Sequence, residues 1–152
     1  MSHTAIIRFA TPSDLDALMQ LCAEHAAYEK AEYDPIGKKE SLSKQLFSPA
    51  PPLYCLVVEQ NETIIGYATY MKQFSTWDAA YYLYLDCLYL NGQSRGQGLG
   101  ELLMQRIKEE AKKLSIGEVQ WQTPDFNEGA IRFYQRIGAK NKAKERFFWE
   151  VK

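Results

Sequence analysis

Three glycines, Gly96, Gly98 and Gly100, stand within the stretch Arg95-Gly96-Gln97-Gly98-Leu99-Gly100, where the chain is best equipped to hold a ligand. Glycine lets the backbone approach a bound group and turn its N–H groups towards it, and the positive end of a following helix attracts an anion. That is the chemistry of a phosphate cradle. Two commoner glycine motifs fail on their residues: a dinucleotide fingerprint needs a glycine where Glu101 stands, and a P-loop needs Gly-Lys-Ser/Thr, which never occurs. A second signal lies just upstream. The run Tyr81 to Leu90 is apolar at nearly every position, as expected of a central strand covered on both faces, yet Asp86 puts a carboxylate in its middle. Aspartate is disfavoured there by β-propensity and by the cost of burying a charge, so it either pairs with a basic side chain or has a chemical task.

The elements that position these residues follow from periodicity and punctuation. Ala5 to Phe9 read as a first strand, and Thr11-Pro12-Ser13-Asp14 starts a helix whose apolar positions Leu15, Leu18, Met19, Cys22 and Ala26 run to about Tyr28. From Tyr28 to Pro52 the pattern loosens, with Glu29, Glu32 and Asp34 among Tyr28 and Tyr33, and a short helical piece around Ser41 to Phe47. That segment reads as a surface excursion able to contact a substrate, or as a solvated acidic loop. Tyr54 to Glu59 and Thr63 to Met71 form an antiparallel hairpin pattern, and Phe74 to Asp78 is a turn carrying Trp77. After the glycines, Leu99, Leu102, Leu103, Ile107, Ala111 and Leu114 line one side of an amphipathic helix. Val119, Trp121 and Thr123 alternate with Glu118, Gln120 and Gln122, which predicts a strand with one covered face. Asp125-Phe126-Asn127-Glu128 offers capping chemistry for a last helix bearing Ala130, Phe133, Tyr134 and Ile137, and Gly138 stops it. Residues Ala139 to Val151 are expected to supply one or two final strands. The order is mixed α/β, with antiparallel strands first and a strand–helix–strand–helix unit after them.

A length of 152 residues suits a single domain, residues 1–152, large enough to bury about 70% of its unfolded surface. Eighteen basic against nineteen acidic residues give no electrostatic footprint for nucleic acid or an anionic membrane. The N-terminus lacks the apolar run of a signal peptide and no segment has the length of a membrane span, so a cytoplasmic location is expected. Cys22, Cys55 and Cys87 read as reduced thiols, and with only His3 and His25 no metal site is expected.

Taken together, the strand with one acid, the turn Arg95-x-x-Gly98-x-Gly100 and a later helix carrying Asn127 and Tyr134 resemble the GCN5-related N-acetyltransferase (GNAT) family. Further stretches are similar to its spermidine/spermine (diamine) acetyltransferase branch: Ile7-Arg8-x-Ala10-Thr11-x-x-Asp14, Tyr28-Glu29, Ser75-Thr76-Trp77 and Phe133-Tyr134-x-x-x-Gly138-Ala139. Nearly the whole chain is covered. The resemblance implies a central, mostly antiparallel twisted sheet, splayed between its fourth and fifth strands and flanked by helices on both faces. It also implies acetyl-coenzyme A in the gap and a homodimer. Carried over, the backbone of Leu88, Tyr89 and Leu90 would hold the acetyl and pantetheine arm. The turn Arg95, Gly96, Gln97, Gly98, Leu99 and Gly100, running into Glu101, would hold the pyrophosphate. Asn127 and Ala130 would also bind the cofactor, and Tyr134 would lie by the thioester sulfur. Tyr28, Glu29, Trp77, Asp86 and Cys87 would line the acceptor site. There are departures: Asp86 stands where the branch places a glutamate, and Cys87 replaces a second acid.

The residue types fit the implied reaction. An alkylamine is protonated at neutral pH (reference pKa ~10.4), so it must lose a proton before attacking a thioester. Asp86 can attract the cation and accept that proton, strand N–H groups near Leu88 can stabilise the oxyanion, and the Tyr134 hydroxyl can protonate the departing thiolate. By periodicity alone Tyr134 is a core aromatic and Trp77 a packing residue. The reading is therefore acetyl transfer to a primary amine of a small molecule, diamine-like or lysine-like. A non-catalytic acyl-coenzyme A-binding module and an acetyltransferase of a protein N-terminus or lysine remain as alternatives.

Overall fold

A five-stranded sheet in the order β1-β2-β3-β4-β5 is the frame on which the first part of the chain is built. The structure, a computed structural model, describes residues 4–94 and 96–152, and the chain falls into two units, Met1–Gln122 and Thr123–Lys152. In the first unit the strands are β1 (Ile6–Phe9), β2 (Tyr54–Gln60), β3 (Thr63–Ser75), β4 (Ala80–Leu90) and β5 (Val119–Gln120). Helices α1 (Leu15–Tyr28) and α2 (Lys38–Leu46) lie between β1 and β2, and α3 (Leu99–Lys113) lies between β4 and β5. The second unit contributes α4 (Glu128–Arg136). The mixed α/β fold inferred from the sequence is the fold observed.

Neighbouring strands β1 to β4 are antiparallel, and β5 is parallel to β4. The β2–β3 hairpin turns on Asn61 and Glu62, both left-handed (φ 55° and 61°), as a two-residue turn between right-twisting strands requires. The two faces of the sheet bury different helices. Val57, Tyr67 and Tyr89 stand on one rung and pack with Leu15, Leu18 and Leu21 of α1 and Leu46 of α2. On the opposite alternation lie Leu56, Ala68, Tyr70, Leu83 and Leu85, all buried, while α3 buries Leu99, Leu103, Met104, Ile107 and Ala111. Arg106 of α3 also donates to the carbonyl of Ile7 at 2.9 Å, tying that helix to β1.

The start of α1 is fixed by charge as well as by its Pro12 turn. The Arg8 guanidinium makes a bidentate pair with Asp14 at 2.8 and 3.0 Å, and Asp14 also accepts the Thr11 N–H at 2.7 Å.

Two expectations are corrected. Among the described residues no strand forms in 139–152, because Lys140, Lys142, Lys144, Glu145 and Arg146 dominate that segment and its unit offers no second strand to pair with. The strand expected over 118–123 shrinks to Val119–Gln120. It stops just before β4 is bent by a bulge.

Candidate active site

β4 pairs with β3 throughout, but the register steps from Tyr70↔Leu85 to Thr69↔Cys87, which leaves Asp86 as the extra residue of a β-bulge. A bulge unpairs one residue, bends its strand and re-aims side chains, and such features gather beside active sites. Here it also swaps the packed faces: Leu83 and Leu85 belong to the α3 side, Cys87 and Tyr89 to the α1 side. Asp86 belongs to neither packed row and is exposed, which corrects the expectation of a carboxylate covered on both faces.

The other edge of β4 is open at the same place. Among the described residues β5 meets it only at Leu83↔Val119 and Tyr84↔Gln120, and no strand lies beside Leu85 to Leu90 on that side. The Asn91 N–H is donated inward, to Ile65 O at 2.9 Å, and by alternation the N–H groups of Leu90 and Leu88 face the uncovered edge. That opening is the divergence expected between the fourth and fifth strands. Gly66, opposite Leu90, is a residue that sequence reasoning missed: a Cβ there would lie 2.9 Å from the Tyr89 carbonyl oxygen, so only glycine allows this close approach.

Gly96 and Gly98 are left-handed (φ 81° and 73°), and Gly98 is the residue from which α3 springs, its carbonyl accepting the Leu102 N–H at 3.2 Å. The N–H groups of Leu99, Gly100 and Glu101 fall in the first turn, where a helix supplies no internal acceptor, so they and the helix dipole are available to an anion. Among the described residues, an ideal Cβ at Gly96 or Gly98 would meet no atom within 4 Å beyond its chain neighbours. The buried Leu99 anchors the turn from below, and the Gln97 carboxamide accepts from Gln60 of β2 at 3.1 Å. These residues fit the diphosphate of a coenzyme A. Arg95 lies outside the described residues.

On the α1 side a network appears that the sequence reading did not assemble. His25 bonds Glu29 through Nε2 at 2.6 Å and Tyr67 through Nδ1 at 2.8 Å, and its ring stacks on Tyr89 with centroids 5.1 Å apart. Tyr28 packs against the same Tyr89. The Tyr67 hydroxyl also faces the thiols of Cys22 and Cys87, and the Cys87 sulfur lies 3.7 Å from Asp86 Oδ2. Burial, reinforced by the Asp86 charge, pushes the Cys87 thiol up to about 11, so it stays protonated at neutral pH. The His25/Glu29 spacing of four on a helix was the signal that could have found this pair.

Asp86, Cys87, Glu29, Tyr28 and Tyr89 are thus joined by contacts that run through Tyr67 and His25. Trp77 does not join them. It sits on the β3–β4 turn, 98% exposed and six rungs from the bulge, about 20 Å along the strand.

In the second unit, α4 begins at Asn127 without a side-chain cap, contrary to expectation, and the Asn127 carboxamide reaches Thr123 Oγ1 at 3.3 Å. Ala130 and Tyr134 lie on α4, the Tyr134 ring beside Phe133, and Gly138 (φ 102°) ends the helix as expected. No group of three or more potential metal ligands occurs among the described residues, and no described helix is long and apolar enough to cross a membrane.

With the open β4 edge and the glycine turn in place, comparison with known proteins identifies the class. The model of the acetyltransferase (GNAT) family matches residues 16–139, and the chain belongs to that family of acetyl-coenzyme A-dependent N-acetyltransferases. It is 29% identical over 143 residues to a thialysine N-epsilon-acetyltransferase of Mus musculus, covering 89% of this chain and 84% of that one. It is 22% identical over 179 residues to an L-ornithine N5-acetyltransferase of Arabidopsis thaliana, covering 88% of this chain and 78% of the relative. Among solved structures, an aminoglycoside N-acetyltransferase in complex with coenzyme A has the same fold. It superposes with a TM-score of 0.82 at 13% identity, covering 99% of this chain and 97% of that one.

Proposed function

We propose that this protein transfers the acetyl group of acetyl-coenzyme A to a primary amine of a small molecule by direct attack, within one domain of residues 1–152. The observation that carries the reading is the bulge on β4: it presents the Asp86 carboxylate beside an open strand edge bearing the N–H groups of Leu88 and Leu90. The relatives, named for thialysine and L-ornithine, support an amine on a small, amino-acid-like molecule.

The thioester supplies the electrophilic carbonyl and a thiolate leaving group. Asp86 attracts the acceptor ammonium and takes its proton, directly or through water, so that the nitrogen lone pair is free to attack. The strand N–H groups near Leu88 and the backbone of Tyr89 and Leu90 orient the acyl arm and stabilise negative charge on its oxygen. Residues Arg95 to Glu101 hold the diphosphate, Asn127 and Ala130 bind the pantetheine part, and the Tyr134 hydroxyl protonates the thiolate. Tyr28, Glu29 and Cys87 line the acceptor pocket. Trp77 lines it only if supplied by a second copy, which accords with the homodimer the family resemblance implies. A cytoplasmic location belongs to the same reading.

The test is thiol release from acetyl-coenzyme A with a panel comprising a lysine-type amine, a short diamine, spermine and a lysine peptide. Turnover of the small amines is expected. With Cys87 in place of an acid, one charge partner for a polycation is missing, so spermine should be used less well than the short diamine. Turnover of the peptide alone would move the activity to protein acetylation, and binding without turnover would leave a sensor.

A further inference from the structure

We propose that Ser94 is a positioning residue for coenzyme A: it pins the entry of the glycine turn to the end of β4, so that the turn is already shaped for the diphosphate before the cofactor arrives. This rests on the reading of residues 95 to 101 as the diphosphate holder.

Ser94 is polar, yet it is only 2% exposed. A hydroxyl out of reach of water must find its partner inside the protein, and here the partner is Asn91. Ser94 Oγ donates to the Asn91 carbonyl at 2.7 Å, and the Ser94 N–H meets both oxygens of the same residue, the carbonyl and Oδ1, at 3.1 Å each. A carbonyl can only accept, so the hydroxyl hydrogen points at Asn91 and the group is oriented as well as held. Asn91 is itself fixed to the sheet. Its N–H goes to Ile65 O of β3 at 2.9 Å, one residue past the Gly66↔Leu90 pairing. These bonds close the single turn of 3-10 helix at Gly92–Ser94 onto the end of β4.

The far end of the turn is held by Leu99, buried at the start of α3. Between these two buried posts lie residues 95 to 98, with Gly96, Gln97 and Gly98 exposed and both glycines left-handed. So short a bridge between two fixed points has few ways to run, although glycine is the residue with the most freedom to lose. The entropy of ordering the turn is therefore met on folding rather than on binding, which leaves more of the interaction with the diphosphate as affinity. The contact between Gln97 and Gln60 at 3.1 Å also ties the turn to the sheet, but it is exposed and water competes for both carboxamides. The sealed Ser94 contact carries more of the constraint. Being buried, Ser94 acts through the turn and not by touching the ligand.

The experiment measures coenzyme A binding by calorimetry, and steady-state kinetics with acetyl-coenzyme A and 1,5-diaminopentane, in the parent, Ser94→Ala and Gly98→Val. Ser94→Ala removes one hydroxyl and no larger group, so the fold is retained. Its Kd for coenzyme A should rise about fivefold and KM for acetyl-coenzyme A should rise in step, with kcat within about twofold of the parent. Gly98→Val should not bind. An unchanged Kd in Ser94→Ala, with Gly98→Val failing to bind, would sink this inference alone. A fall in kcat as large as the rise in KM would also overturn it, because a general loosening would reach the β4 edge near Leu88 as well as the turn. Gly98→Val binding coenzyme A as tightly as the parent would remove the diphosphate reading and this inference with it.

Discussion

At the scale of single residues, the chemistry turns on protonation. Cys87 sits next to the bulged carboxylate, yet burial and that carboxylate push its thiol up to about 11, so little thiolate exists at neutral pH. Alkylation of the native protein by iodoacetamide at about pH 7.5 should leave Cys87 largely unmodified while the unfolded chain reacts fully; mass spectrometry of the digested protein reads the difference. Tyr134 is the residue proposed to protonate the leaving thiolate, and Tyr134→Phe removes one hydroxyl with little volume. Its kcat should fall on the order of 10²-fold with KM nearly unchanged, and unchanged turnover with chemistry rate-limiting would return Tyr134 to a packing role. Asp86 was legible in the sequence as the one acid in an apolar run. Its exposure was not, because a bulge is a property of two strands in register and the sequence of β4 alone contains no mark of it. The contacts of His25 were hidden similarly, since its partners Tyr67 and Tyr89 lie more than forty residues away.

At the scale of elements, local signals served where they were self-sufficient. The Thr11-Pro12-Ser13-Asp14 start of α1, the positive-φ turn into α3 and the Gly138 stop of α4 all depend on nearby residues, and all stand where the sequence put them. The final strands did not form, because a strand exists only with a partner and the alternation of 139–151 could not supply one. The Arg8–Asp14 pair carries a measurable part of the first unit's stability. Arg8 holds the Asp14 carboxyl at about 2, below its ordinary value near 3.8, so the folded state binds this proton less readily than the unfolded chain. The stabilisation is present above about pH 4 and is lost as the pH falls through about 2. Asp14→Asn should therefore cost about 2 kcal/mol at pH 7 in urea unfolding, with the gap between variant and parent closing towards pH 2. The α3 turn has its own test. Gly98→Val places a β-branched residue at a left-handed φ of 73° and should abolish the rise in melting temperature produced by acetyl-coenzyme A. A folded variant that binds like the parent would show the diphosphate is held elsewhere.

At the scale of the whole molecule, the family match runs across residues 16–139 and so takes in parts of both units. The sheet and α3 supply the open β4 edge and the glycine turn, while contacts through Tyr67 join Asp86 and Cys87 to His25 and Glu29. The association state in solution, read by analytical ultracentrifugation, should be a dimer if a second copy delivers Trp77 to the acceptor pocket. The most direct test of the central claim is quantitative: incubate the protein with acetyl-coenzyme A and 1,5-diaminopentane, then measure free coenzyme A and N-acetylated amine together. The two products should appear in equal amounts, with kcat/KM reduced on the order of 10²-fold in Asp86→Asn. Thiol release without acetylated amine, or full activity in Asp86→Asn, would contradict the assignment of the β4 bulge as the place where the amine is held and deprotonated.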